Sequence, residues 1–362
     1  MSNRFYILDF LRGLAALFVV IWHYRHFYYK NAVIPDDFDV SNSPLFQLLS
    51  IPYNHGGLAV EFFFCLSGFI FFQYYYNKIK TGEINFKEFF IRRLLRLYPV
   101  FLCSLILTTI LLRYFDNSPL NIYEFNDLEH FFYNLLLIHQ WGIQDGWSFN
   151  GPSWSISVEW FLYILFFMVC LIRINILVIS LILITLGFII FPVNPNIARG
   201  IILFFFSSFI WLILNNKKIT SYIKLFLVLL YLSLTSMVIN FIPLILQNFY
   251  PSLNIFLDDK SLFELFFIIG LVPAIVFLGA FINTNNDFLN KFCDYFGQLS
   301  YPIYLFHFPM QLILVNTGII TNPNSTTSLM VYLISVFAIS YYFNKFFDKP
   351  IRIFLTKKFL SK

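Results

Sequence analysis

Apolar runs of about 18 or more residues recur along the whole chain, and each is long enough to cross roughly 30 Å of hydrocarbon. A chain built this way is an all-α, polytopic integral membrane protein. The composition agrees. Hydrophobic residues make up 59% and charged residues 12%, whereas a soluble domain is nearer half apolar and one-quarter charged. That balance excludes a cytosolic globule and any disordered or fibrous class.

Spans are expected at roughly 6–28, 57–76, 97–115, 153–172, 175–192, 199–215, 221–242, 262–282, 299–317 and 327–347, about ten in all. The first run lacks a small-residue cleavage site and reads as an uncleaved span. With the N-terminus in the cytoplasm, 19 of the 24 Lys and Arg fall on the inner side, against Arg25, Lys30, Arg113, Arg199 and Lys260 outside. The positive-inside rule therefore predicts both termini in the cytoplasm. No long polar linker divides the chain, so one transmembrane domain is expected over 1–350, with a short basic cytoplasmic tail over 351–362. The net charge of +5 comes from short loops between spans and carries no implication of nucleic-acid binding. Cys65, Cys103, Cys170 and Cys293 lie in or beside apolar runs without CxxC spacing; they read as small hydrophobes, and no metal site is expected.

Three segments between spans stand out. The inner loop 77–96 is strongly basic. The outer stretch 116–152 has Asp and Glu but no Lys or Arg, and its apolar piece His130–His139 is too short to cross, so it is re-entrant or interfacial. The outer loop near 243–261 is rich in Pro, Asn and Asp.

Ionisable groups inside spans are costly and default to functional candidates. Arg12 and His23 are eleven residues apart on the first span, which puts them on one face about 16 Å apart. A snorkelling anchor accounts for Arg12 about as well as a site role, and an interfacial imidazole beside Trp22 accounts for His23 taken alone. Glu61 opens the second span, with His23 or Arg25 expected within reach; the plain alternative is a protonated structural acid. Ser67 and Gly68 look like a close helix contact. Arg93 and Arg96 are one turn apart and can grip one anion, although a headgroup-binding topology cluster uses the same residues. Glu159 and Tyr163 are spaced to face one cavity, while Ser153, Ser155 and Ser157 suit caps and packing. His307 is a second imidazole within a span, between Pro302 and Pro309. No nucleophile elbow, Walker loop, HExxH or EF-hand loop is present in the sequence.

In order and spacing these segments resemble acyltransferase family 3, membrane proteins that acylate bacterial cell-envelope sugars. The resemblance rests on LDFLRGLAALFVVIWH, GGLAVEFFFCLSGF, RRLLRLYPV, PSWSISVEWFLY, GQLSYPIYLFHFP and FDKPIR. Glu61 stands where the family usually has Asp, and Asp348 where it usually has Glu. The extra periplasmic domain of some members is not expected, because only a short tail follows the last span. The resemblance implies transfer of an acyl group, usually acetyl, from cytoplasmic acyl-CoA to a sugar hydroxyl at the outer face of the inner (plasma) membrane. It implies acetyl-CoA as co-substrate, with no permanently bound cofactor.

On this reading His23 is the base or transient acyl carrier, with Glu61 and Arg12 beside it in the catalytic set. Arg93 and Arg96 hold the donor, and Trp141 and Trp147 offer faces for a pyranose. Ser67, Trp154, Ser157, Glu159, Tyr163 and His307 support the site, with His307 expected nearer the inner half of its span. A flippase or exporter for lipid-linked sugars is the competing class; it would need a continuous polar path but no thioester site.

Overall fold

The computed structural model describes residues 4–249 and 259–360. The regular structure of the described residues is helical, without a β-strand. Helix α1 (Tyr6–Trp22) tightens into a 3₁₀ turn at His23–Tyr28. A short α2 (Phe46–His55) leads into α3 (Ala59–Phe71), which continues through a π-helical turn to Lys80. Then follow α4 (Phe86–Tyr114), α5 (Leu128–Leu135), α6 (Trp154–Leu171), α7 (Ile176–Ile190), α8 (Pro195–Asn215) and α9 (Ser221–Phe249). Helices α10 (Asp259–Phe266) and α11 (Val272–Phe281) are joined by a π-helical turn, and α12 (Asp287–Asn316), α13 (Thr326–Phe343) and α14 (Lys349–Leu360) complete the chain.

Many starts are fixed by a side chain that satisfies a free N–H of the first turn. Asn85 accepts from Glu88 N at α4, Asn194 from Ile197 N at α8 with Pro195 first in the helix, and Asn286 from Leu289 N at α12. The expected serine cap of α6 is absent: Ser153 makes no capping bond.

Eight helical segments among the described residues are long and apolar enough to cross a membrane. The sequence predicted ten, and two of those take other forms. The expected span 175–192 is the 15-residue α7, and 299–317 is the distal part of the 30-residue α12, whose first turns carry Asp287, Lys291 and Asp294. Of the predicted loop near 243–261, residues 250–258 lie outside the described residues, while 243–249 continue helix α9 and 259–261 begin α10. The apolar piece of the 116–152 stretch contains α5, which exposes Leu128, Phe132 and Leu136 in one stripe, as an interfacial helix does.

The segment predicted as a tail from 351 lies within helix α14, which continues from α13 through a π-helical turn and packs against α4.

The bundle is closed by two seams of small residues. Helices α1 and α12 lie side by side, and a Cβ at Gly297 would come within 2.6 Å of the Asp9 carbonyl oxygen. At the α3–α8 seam, a Cβ at Gly68 would come within 2.2 Å of the Phe204 carbonyl oxygen, which supports the packing reading of Gly68. Beneath the seams, Phe71, Phe72, Phe166, Phe204 and Phe205 form a buried aromatic core. Leu181, Phe188, Phe226 and Ile334 face outward, as a lipid-facing surface requires.

The Gly68 contact is backbone on one side and cannot yield by a rotamer change. Gly68→Ala is therefore expected to destabilise the protein by about 1–3 kcal/mol. A thermal scan in detergent should show a lower Tm for this variant and an unchanged one for the outward-facing Ile334→Leu; equal Tm values would remove the seam from the argument.

Candidate active site

Helices α1 and α12 run parallel. Arg12 donates from Nε (3.1 Å) and Nη2 (2.7 Å) to the Gly297 carbonyl, and its Nη2 also lies 3.2 Å from the Asp9 carboxylate. One seam-length further on, the His23 ring is 4.7 Å from the His307 ring, and Gln311 Nε2 donates to the His23 carbonyl at 2.7 Å. His23 is eleven residues beyond Arg12 and His307 ten beyond Gly297, rises of about 16 and 15 Å. The two imidazoles therefore sit at one level. This corrects the expectation that His307 lies nearer the inner half of its span: α12 begins at Asp287, well before the apolar stretch from which depth was judged.

His23 Nδ1 is 2.9 Å from the Val19 carbonyl, and His307 Nδ1 is 2.6 Å from the Tyr304 carbonyl. A carbonyl only accepts, so each Nδ1 carries the proton and each neutral ring keeps its lone pair on Nε2. His26 completes a cluster of three rings: its Nδ1 meets Gln311 Oε1 at 3.0 Å, and its ring is 5.1 Å from His23.

The expected partnership of Glu61 with His23 or Arg25 is not formed. Glu61 is fully buried and pairs with Arg199 of α8 at 2.6 Å, while the Arg199 guanidinium lies 5.4 Å over the Trp154 ring. Arg25 instead donates to the carbonyls of Trp22 and Tyr53. A buried carboxylate takes the nearest cation that can reach it, and Arg199, read from the sequence only as an outer charge, is that cation.

Two cavities lie on either side of Tyr304, and His23 borders one of them. The first, about 280 Å³, is bordered by Arg12, Arg93, Arg96, Glu159 and Tyr163. Glu159 accepts from Ser67 Oγ at 3.0 Å and from the Tyr163 hydroxyl, so the i, i+4 pair does share one cavity. The Arg93 guanidinium lies 4.8 Å over Phe71 and 4.4 Å over Tyr75, and it donates to the Tyr75 hydroxyl. Arg96 makes no protein hydrogen bond or ion pair among the described residues.

The second cavity, about 340 Å³, is bordered by His23, Trp22, Trp147, Trp154, Arg199 and Glu264. Trp141 is not part of it. Its indole N–H donates to the Ser157 carbonyl at 3.1 Å and its ring packs on Phe161, so of the two predicted sugar platforms Trp147 is the one that borders this cavity. Ser157 is structural, since its hydroxyl donates to the Leu137 carbonyl at 2.8 Å and accepts from Gln140 N.

Tyr304 borders both cavities. Its hydroxyl bonds Ser155 Oγ at 2.8 Å and the Pro152 carbonyl. Sequence reasoning missed Tyr304, His26, Gln311, Arg199 and Glu264. The first three had a signal, because Tyr304 and Gln311 lie three and four residues from His307, and His26 lies three from His23. Arg199 and Glu264 had none, since only the packing of α8 and α10 brings them in.

The profile of a family described as an acyltransferase domain matches residues 5–345, nearly the whole chain. The chain is also 35% identical over 105 residues to Protein 2 in picA locus of Rhizobium radiobacter, a match spanning 29% of this chain and 44% of that protein. No solved structure matches it significantly. The protein belongs to acyltransferase family 3, and eight of its described helical segments are long and apolar enough to cross a membrane.

Proposed function

We propose that the chain moves an acyl group, acetyl in the simplest case, from cytoplasmic acyl-CoA to a hydroxyl of an envelope sugar on the far side of the plasma membrane. The observation that carries this reading is the pair of cavities meeting at Tyr304, with guanidinium groups in one and an imidazole with tryptophans in the other. The donor enters on the Arg93–Arg96 side, where planar forks suit phosphate oxygens. The sugar lies against Trp147 and Trp154, whose faces pack on C–H surfaces, with Glu264 available to its hydroxyls. Cavities of this size suit a thioester arm and a single sugar unit better than passage of an oligosaccharide, which favours the enzyme over an exporter.

In the proposed reaction His23 Nε2 takes the proton of the sugar hydroxyl as its oxygen attacks the thioester carbonyl. The C–S bond then breaks, and the proton passes from His23 to the departing thiolate. The products are an O-acyl sugar and free CoA. The Val19 bond holds His23 in the tautomer this role needs. A covalent acyl-imidazole is the alternative path through the same nitrogen.

Removal of a general base typically slows a reaction about 10²–10⁴-fold. Purified His23→Ala is expected to lose that much acyl transfer while still binding acyl-CoA, with a smaller loss for His307→Ala. Near-normal transfer by His23→Ala would reject the role. In the same assay Trp147→Ala should raise the acceptor KM several-fold with donor affinity unchanged; an unaltered KM would return Trp147 to an interfacial belt.

On the donor side, a lysine lacks the bidentate fork of arginine. Arg93→Lys and Arg96→Lys are each expected to weaken acyl-CoA binding about tenfold, since 1.4 kcal/mol corresponds to that factor. Unchanged affinity in the folded Arg93→Ala, Arg96→Ala double variant would reduce the pair to a topology signal.

The proposal includes ten crossings with both termini cytoplasmic, α7 and the distal half of α12 being the two short ones. Parallel α1 and α12 support it, since the first and ninth of ten crossings run in the same direction. A reporter fused after Lys362 should read cytoplasm and one inserted near Asn121 the outside; the same side for both would overturn the count.

A further inference from the structure

Helix α14 lies beyond residue 345, where the family match ends. With α4 it borders a third, open cavity of about 550 Å³, lined by Arg92, Arg93, Arg96, Lys349, Arg352 and Lys357, with no acidic side chain among the described residues in its wall. Arg93 and Arg96 also border the Arg12 cavity, so the two spaces adjoin. Acids outside this wall act on it: Glu88 pairs with Arg92 at 2.8 Å, Asp348 pairs with Arg352 at 3.2 Å, and Glu159 shares the adjoining cavity with Arg93 and Arg96. Even so, the Nε atoms of Arg93 and Arg352 find no acceptor among the described residues.

Beyond the paired Arg92 and Arg352, the cations Arg93, Arg96 and Lys349 converge here from two helices and repel one another unless an anion sits among them. An unspent guanidinium N–H buried without an acceptor is likewise unfavourable, and a phosphate oxygen is the acceptor that fits its fork.

We infer that α14 completes a phosphate subsite, in which Lys349, Arg352 and Lys357 face Arg93 and Arg96 across the nucleotide end of the acyl-CoA donor. The inference rests on the donor proposed above. A thioester donor of this class carries its charge at one end, on a diphosphate and a 3′-phosphate monoester, the latter bearing about −1.5 to −2 at neutral pH. The other end is an uncharged arm with the acyl group at its tip. The basic cavity suits the first end, and the adjoining smaller cavity leads the second toward Tyr304. The same cations would also accept an anionic lipid headgroup, and the apolar Ile353 and Phe354 on α14 would suit lipid tails.

The full chain in phosphatidylcholine nanodiscs, free of anionic lipid, separates the two ligands. Affinities for acetyl-CoA and for 3′-dephospho-acetyl-CoA are measured by calorimetry. Wild type is expected to prefer acetyl-CoA about tenfold, and the Lys349→Gln, Lys357→Gln double variant, which leaves the Asp348–Arg352 pair intact, should lose that preference while binding the dephospho compound within threefold of wild type. Arg352→Gln should weaken acetyl-CoA in the same direction. If wild type binds acetyl-CoA and the double variant keeps the preference, or loses both compounds equally, the subsite is wrong although the donor stands. If the variants lose only a retention of phosphatidylglycerol in mixed discs, α14 is a lipid contact and the inference is overturned. If wild type binds neither compound, the donor reading itself fails.

Discussion

The candidate site depends on one contact between two parallel helices. At Gly297 the α12 backbone comes so near α1 that no side chain fits between them, and Arg12 closes the gap by donating twice to the carbonyl exposed there. At the far end of the seam Gln311 reaches the His23 carbonyl and His26 at once. Two hydrogen-bonded ends hold the intervening register. A slip of a single residue would rotate His307 by about 100° around its axis, away from His23.

A second constraint comes from hydrocarbon, where an unsatisfied backbone group has no water to turn to. Pro309 lacks an N–H, so it leaves the Leu305 carbonyl without its intrahelical donor. That carbonyl instead accepts from Ser104 Oγ at 2.9 Å and from Asn150 Nδ2 at 2.9 Å. The proline therefore ties α12 to α4 and to the loop ahead of α6 directly beside His307. The residues flanking this histidine act less as hinges than as anchors.

Much of this was legible in the chain itself. The 3.6-residue repeat gave the shared face of Arg12 and His23 and the shared cavity of Glu159 and Tyr163, because both are local along one helix. Partners across helices were harder. The sequence matches Glu61 to His23 or Arg25 of the preceding span, while packing delivers Arg199 from 138 residues away. Trp141 and Trp147 looked equivalent, since composition cannot tell an indole facing a cavity from one bonded to Ser157. Lys349, Arg352 and Lys357 counted only as topology charges, because nothing local shows that α14 folds back along α4.

Tyr304 has a consequence beyond substrate placement. A protein that draws its reactants from two aqueous compartments must also keep those compartments electrically apart. Between the cavity bordered by Arg12 and the cavity bordered by His23, Tyr304 is the residue common to both walls, and its hydroxyl is held by Ser155 and Pro152. On the proposed reaction, the side chain nearest the path of the acyl group would also be part of the membrane's seal against protons, and any motion that lets the group through would have to be brief enough, or well enough plugged by substrate, to leave the ion gradient intact.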